Sequence, residues 1–385
     1  MRSSTSIGVV VGALVAAVNA QVYCGVNITQ ARLDTSINWS AVPFTDAAFA
    51  YMANLSLASG VAPPANATGI DMHSHMVFPW YGAAVPLTAG LQTPTWSTDA
   101  HLTFAATYAI NHTVLAASVP SANIYPNNQA ATVTTARLIN LSLAVLSSCR
   151  PQSFSFFAAV PLPFTTAAIT EANYAIDTLH ASGIAVMSNH EGIYLGNSQI
   201  APFFAALNNR PEAYTIVYIH PNVPYLRQNG GAVLVEANPT RYISGLFEFF
   251  YDTARVLMDL TMANTLKTYT KINLIAAHCG GTFPEILDRM LKSTGDTTFE
   301  QLHKSLYASR IWWDSAGPEY PRQVQSLLPF VPQSQLVLGS DYPYAPAVSY
   351  LGAFLGLNTD TAVNLPAIKH DNAIALLGNR LRWYK

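Results

Sequence analysis

The sequence predicts an α/β fold, a (β/α)8 TIM barrel with an N-terminal extension. Three observations predict it. Eight short apolar runs alternate with stretches of helical periodicity. Five of these runs finish on histidine or aspartate, residue types with which the mouth of such a barrel holds a divalent cation. An open doubly wound sheet would compete, but the glycine-rich dinucleotide turn after its first strand is absent here.

Residues 1–20 are set aside first. Arg2 precedes an unbroken run of apolar residues and glycine at 7–18, and Val18-Asn19-Ala20 offers small residues for cleavage. A secretory signal peptide cut before Gln21 is expected. The run is short for a membrane span, which needs about 20 apolar residues, and no later stretch is expected to cross a bilayer. Residues 21–68 read as a glycosylated extension with a helical patch at 45–57 and a break at Pro63-Pro64. The barrel is placed at 69–385. Its strands are expected at 69–75, 112–118, 153–160, 183–189, 215–220, 272–278, 309–314 and 335–341. Helices are expected at 165–181, 201–207, 243–262, 284–291, 320–328 and 365–377. The longest inserts follow strands one and five, where they would form substrate pockets or lids.

Composition narrows the function. Net charge is −2, charged residues make up 10% of the chain, and no basic patch is present, so nucleic acid is not an expected partner. Six Asn-x-Ser/Thr sequons, at Asn27, Asn38, Asn54, Asn66, Asn111 and Asn140, fit a secreted glycoprotein. Cys24 and Cys149 are a candidate disulfide, and Cys279 reads as a buried thiol. The Gly-x-Ser-x-Gly elbow of a serine hydrolase is missing.

The chemistry concentrates at strand ends. His73 and His75 sit two apart on strand one and so point to one face. His220 ends strand five, His278 strand six and Asp341 strand eight. Three imidazoles and one carboxylate suit Zn²⁺, with Mn²⁺, Fe²⁺ or Co²⁺ as alternatives. These residues alone do not separate a ligand role from a catalytic role for His278. His101, His112, His180, His303 and His370 have no matching partner and read as structural.

Asp71-Met72-His73-Ser74-His75 resembles the first-strand signature of the amidohydrolase superfamily. Phe157-Ala158-Ala159-Val160-Pro161-Leu162-Pro163, His278-Cys279-Gly280-Gly281-Thr282-Phe283-Pro284, Trp313-Asp314-Ser315-Ala316-Gly317 and Gly339-Ser340-Asp341-Tyr342-Pro343 extend the likeness. More narrowly, the chain is similar to the branch of aminocarboxymuconate-semialdehyde and 6-methylsalicylate decarboxylases. That resemblance implies His73, His75, His220 and Asp341 as metal ligands and His278 as the catalytic histidine, with Asp341 able to relay a proton. Strand four lacks the lysine with which binuclear relatives bridge two metals, so one divalent metal per chain is implied, zinc first and manganese second. The implied reaction is non-oxidative decarboxylation of a small aromatic acid, with a homodimer as the implied assembly. A secreted lactonase or amidase on the same scaffold is the alternative. Candidate substrate residues are Trp80, Tyr81, Trp96, His190, Phe283 and Asp314. Phe78 is a further pocket-wall candidate, and Arg255 a surface ion pair.

Overall fold

The computed structural model describes residues 21–57, 67–231, 233–317, 319–344 and 363–381. The leader, Pro63-Pro64 and the Asn66 sequon lie outside them. Eight strands form one parallel sheet in sequential order. They are β1 (Gly69–Met76), β2 (Ile110–Ala117), β3 (Phe154–Ala159), β4 (Gly183–Met187), β5 (Thr215–His220), β6 (Ile272–Ala276), β7 (Ile311–Asp314) and β8 (Leu336–Val337). The sheet closes on itself past the end of β8: Met72 N–H donates to Leu338 O at 2.8 Å and His75 N–H to Tyr342 O at 2.7 Å. The predicted barrel is therefore present. Individual strands differ most where function intervenes, since β6 and β8 stop short of His278 and Asp341.

Alternation along the strands sorts the core into two layers. Ile70, Met72, Val114, Ala116, Phe157, Ile216, Tyr218, Ile275 and Val337 form one buried cluster, the filling of the barrel. Their strand neighbours Leu115, Phe156, Val217 and Leu274 belong to a second cluster, packed under the helices. In β1 this parity would turn His73 and His75 outward, because Ile70 and Met72 already face inward. A register shift between Asp71 and Ser74 corrects it: three steps along β1 oppose two along β2, from Thr113 to Leu115. This one-residue bulge turns both imidazoles toward the axis.

The surrounding helices include α1 (Thr45–Leu57), α2 (Thr98–Thr107), α3 (Gln129–Cys149), α4 (Thr165–Asp177), α5 (Ala201–Asn208), α6 (Glu248–Met262), α7 (Phe283–Lys292) and α8 (Thr297–Arg310). Contrary to the expectation for later stretches, α3 has the length and apolarity of a membrane span, but 89% of its apolar window is buried inside the domain. The extension packs on it, and a disulfide joins Cys24 to Cys149 at the C-terminal end of α3. One sequon is lost to this packing. Asn140 on α3 is fully buried, with Nδ2 donating to Ala159 O and Glu171 Oε1 and Oδ1 accepting from Ala159 N–H, each at 2.8 Å. No glycan fits there in the folded chain. Asn27, Asn38 and Asn54 are exposed.

Candidate metal centre

His73, His75, His220 and Asp341 converge at the C-terminal end of the barrel, each offering a ligand atom within 4.8 Å of the others. His73 Nε2 lies 3.2 Å from His75 Nε2, and Asp341 Oδ1 lies 3.4 and 3.0 Å from those two atoms. Neighbouring groups set which nitrogen of His73 and of His220 faces inward. His73 Nδ1 bonds Asp314 Oδ2 at 3.0 Å, and His220 Nδ1 bonds Pro221 O at 2.6 Å. A proton held at Nδ1 leaves the Nε2 lone pair free for a cation. His278 is arranged alike, its Nδ1 on Ala316 O at 3.0 Å, with its ring centroid 4.8 Å from that of His73.

Packing places these groups with little tolerance. Asp71 Oδ1 accepts from His73 N–H and Ser340 N–H, and its Oδ2 accepts from the Ser340 hydroxyl at 2.6 Å. This carboxylate joins the bulge of β1 to the segment that carries Asp341. A Cβ on Gly339 would meet His73 Cβ at 2.8 Å and Ala316 Cβ at 2.9 Å, so only glycine fits between them. His278 and Asp341 both adopt left-handed backbone, with φ of 53° and 58°. That conformation is sparsely populated by residues other than glycine and recurs at functional sites.

The electrostatics fit a cation. Burial opposes charge on His73, yet Asp314 and then Asp341 outweigh it and lift its pKa to about 10. Burial lowers His75, His220 and His278. Burial works against the Asp341 carboxylate, but hydrogen bonds from His73 and His75 hold its pKa well below the usual range. His75 Nδ1 is buried without a partner. Three imidazoles and a carboxylate aimed at one point suit one divalent ion, which takes the place of the His73 proton. Loading the metal-free protein near neutral pH is therefore expected to release about one proton per chain. Titration calorimetry in buffers of differing ionisation enthalpy measures this, and zero release would show that His73 was already neutral.

The centre opens into a cavity of about 190 Å³, lined by His75, His220, His278 and Asp341 together with Thr88, Leu91, Ser118, Phe249, Phe250 and Tyr344. The inserts after β1 and β5 supply part of this wall, as their length suggested. No lysine or arginine is among the described residues lining it. A larger cavity of about 680 Å³ lies beside the N-terminal extension, but its buried Arg137 is already paired with Asp34 and Glu171.

None of the aromatic substrate candidates lines the metal-side cavity. Trp80 stacks on Phe44, and Trp96 donates to His101 Nδ1 at 3.2 Å. Phe283 stacks on Trp313, and Phe78 packs against Trp96 and Tyr51. The Tyr81 hydroxyl donates to Ser118 O at 2.7 Å and Ser121 O at 3.0 Å, bracing the loop behind the wall. His190 is buried between Asn123 Oδ1 and the Met187 N–H, its pKa pushed down to about 3 by burial. Large aromatics fill cores as readily as pockets, so residue type alone does not place them at the cavity. Asp314 does belong to the centre, where it orients His73 and accepts from His278 N–H at 3.1 Å. Arg255 is half-exposed and pairs with Asp252 at 3.3 Å. Phe249, Phe250 and Tyr344 were not singled out, although Tyr344 directly follows the Gly339-Ser340-Asp341-Tyr342-Pro343 motif. Glu319 was also missed: both carboxyl oxygens are buried without a partner, and burial, then Asp314 and Asp341, push its pKa up to about 9.

Comparison with known proteins agrees with the barrel fold. The decarboxylase yanB of Aspergillus niger is 29% identical over 80% of this chain and 86% of its own length. The 6-methylsalicylic acid decarboxylase of Penicillium expansum is 28% identical over 72% and 85%. A solved amidohydrolase II superposes with a TM-score of 0.72 at 26% identity, covering 80% of this chain and 99% of that one. A dihydroxybenzoic acid decarboxylase from Polaromonas, with bound manganese and the inhibitor 2-nitroresorcinol, superposes at 0.62 with 16% identity, over 81% and 97%. The sequence profile of the amidohydrolases matches residues 70–378, and the chain belongs to that family.

Proposed function

We propose that the protein is a metal-dependent, non-oxidative decarboxylase that releases CO2 from a small aromatic carboxylic acid such as 6-methylsalicylate and leaves a phenol. One observation carries the reading: a cluster of three histidines and one aspartate stands at a small, largely apolar cavity with no lysine or arginine among its described lining residues. A divalent cation there has one ligand charge opposing it, so a single positive charge remains to meet a carboxylate. When bound, the cation orients the acid and offsets negative charge that builds on the ring. Phe249 and Phe250 supply the apolar face for the ring. His278, neutral with its Nδ1 proton on Ala316 O, presents Nε2 to the cavity, where it can take a proton from solvent and deliver it to the carbon that loses CO2. The C–C electrons return to the ring, and one proton is consumed per CO2.

The donor set supports zinc, and the manganese of the Polaromonas neighbour supports manganese as the alternative. The decarboxylase names of the relatives favour this reaction over lactone or amide hydrolysis. The disulfide and the apolar leader support a secreted protein, and we assign a homodimer as its assembly, to be tested by its mass in solution. Purified protein analysed for metal is expected to hold about one ion per chain and to release CO2 from 6-methylsalicylate or another hydroxybenzoate. Metal-loaded protein that yields no CO2 from such acids, yet opens lactones or amides, would overturn the proposal.

A further inference from the structure

The segment after β7 carries a titratable side chain that the proposed chemistry leaves unused. Glu319 is 1% exposed, and neither carboxyl oxygen has a hydrogen-bond partner among the described residues. Its main chain is fixed, since Glu319 O accepts from Gln323 N–H at 3.1 Å and from Val324 N–H at 3.3 Å. A Cβ on Gly317 would meet Glu319 Oε1 at 3.1 Å and His278 Nδ1 at 3.5 Å. Gly317 and His278 both line the metal-side cavity, and Glu319 stands behind that wall. Glycine at 317 therefore leaves a gap about one water wide between the carboxyl and the imidazole. The groups facing Glu319 come from the ends of β1, β6, β7 and β8. Burial, then Asp314 and Asp341, raise its pKa to about 9, and His73 works the other way. Glu319 in turn raises the Cys279 thiol. Arg322, at the start of the next helix (Arg322–Leu327), is exposed. A buried carboxyl that accepts no hydrogen bond is stable only while it keeps its proton. Glu319 is thus an acid near neutral pH, whereas burial favours the uncharged imidazole of His278.

We propose that Glu319 is a proton store for His278, a positioning residue that yields its proton to the imidazole by way of water at Gly317 and recovers one from solvent. The inference rests on the decarboxylase reading and names the source of the proton within it. His278 gives its Nε2 proton to the ring carbon as the C–C bond breaks and its electron pair returns to the ring. The imidazole then takes a proton from Glu319, leaving a carboxylate. Solvent refills the carboxylate, so one proton is consumed per CO2. The Nδ1 bond to Ala316 O is kept throughout, and the ring does not turn. A carboxylate at Glu319 and an imidazolium at His278 stabilise each other, so neither charge is left alone in the buried site. Glu319 acts only through His278 and does not touch the substrate.

Glu319→Gln in the metal-loaded protein tests this, since it keeps the shape and removes the titrating proton. It should lower kcat for CO2 release by about 10-fold or more, with KM unchanged. The pH profile carries the distinction from a structural role. Wild-type kcat should hold while Glu319 keeps its proton and fall as pH rises through about 9. In Glu319→Gln that fall should begin at least about one pH unit lower, because His278 alone must then take the proton from solvent. Glu319→Asp keeps an acid on a shorter arm. It should retain the wild-type profile at reduced rate, and it serves as the second variant should Glu319→Gln fold poorly. The infrared difference between wild type and Glu319→Gln gives a readout independent of CO2: a protonated carboxyl band at pH 7 that disappears above about pH 9. No such band, or a pH profile in Glu319→Gln equal to the wild type, would overturn the assignment. So would an Asp variant whose profile has lost the wild-type fall near pH 9. The band present with no CO2 from any acid would overturn it through the decarboxylase reading, and would place the failure in the reaction rather than in the protonation of Glu319.

Discussion

His278→Asn is expected to slow CO2 release by about 10²- to 10⁴-fold, the range for losing a positioned proton-transfer group, with metal still bound. The substitution suits the site. His278 has φ 53°, and asparagine is among the residues that tolerate left-handed backbone. The backbone N–H that bonds Asp314 Oδ1 is unchanged, so the β6–β7 contact survives. What is lost is the cavity-lining imidazole whose Nδ1 is held on Ala316 O, leaving Nε2 free to carry the proton. Since His278 stands beside the four ligands and is not one of them, metal content should stay at the wild-type value. Both kcat and kcat/KM should fall together, the pattern of an interaction made only in the transition state. Single-turnover CO2 release on metal-analysed protein measures it. Full activity in the variant would move proton delivery to another acid, and Glu319, buried and raised to about 9, would be the next to replace.

Asp341→Asn is expected to act on the other half of the site, reducing metal affinity by more than about 100-fold, the upper end of the loss produced by removing a supporting partner of a ligand. Asp341 is the anionic member of the cluster, and an amide oxygen there leaves a dication among neutral donors. The fold should survive. Asparagine tolerates φ 58°, and closure of the barrel at this point depends on Asp71, Ser340 and backbone bonds rather than on the Asp341 carboxylate. The variant should still fold without metal, with a lower melting temperature because His73 and His75 lose their carboxylate partner, while metal per chain after dialysis should drop toward zero. Wild-type metal content in Asp341→Asn would remove this carboxylate from the ligand set.

The barrel and its metal cluster were legible because both depend on patterns that local sequence carries. Buried strands such as Ile216-Val217-Tyr218-Ile219 are apolar without interruption, and an imidazole after such a run is conspicuous. The bulge in β1 was not legible. Spacing alone put His73 and His75 on one face, but which face depends on an extra residue that only pairing with β2 reveals. The ends of β6 and β8 were overextended for a related reason. His278 and Asp341 leave the extended conformation to reach the axis, and no propensity marks that turn in advance. Among the aromatics, Trp80 and Phe283 went to the core while Phe249 and Phe250 met the cavity. The four are chemically alike, and the path of the insert after β5 decides between them. Asn140 shows the same limit, since a sequon states nothing about burial.

The bond geometry around Asp341 also bears on the order in which the chain matures. Asp341 meets His75 at a sequence separation of 266, and the bulge that aims His75 is tied to Ser340 by Asp71. A nascent chain that has reached β5 already holds His73, His75 and His220, yet it has no carboxylate to complete the set. Full affinity appears only when the last strand has docked beside the first. The ion therefore lends less stability to partly synthesised or half-closed forms than to the finished ring, which gains about 4 kcal/mol at a thousandfold excess over Kd. Cation capture then acts as a clasp that distinguishes completed molecules from unfinished ones.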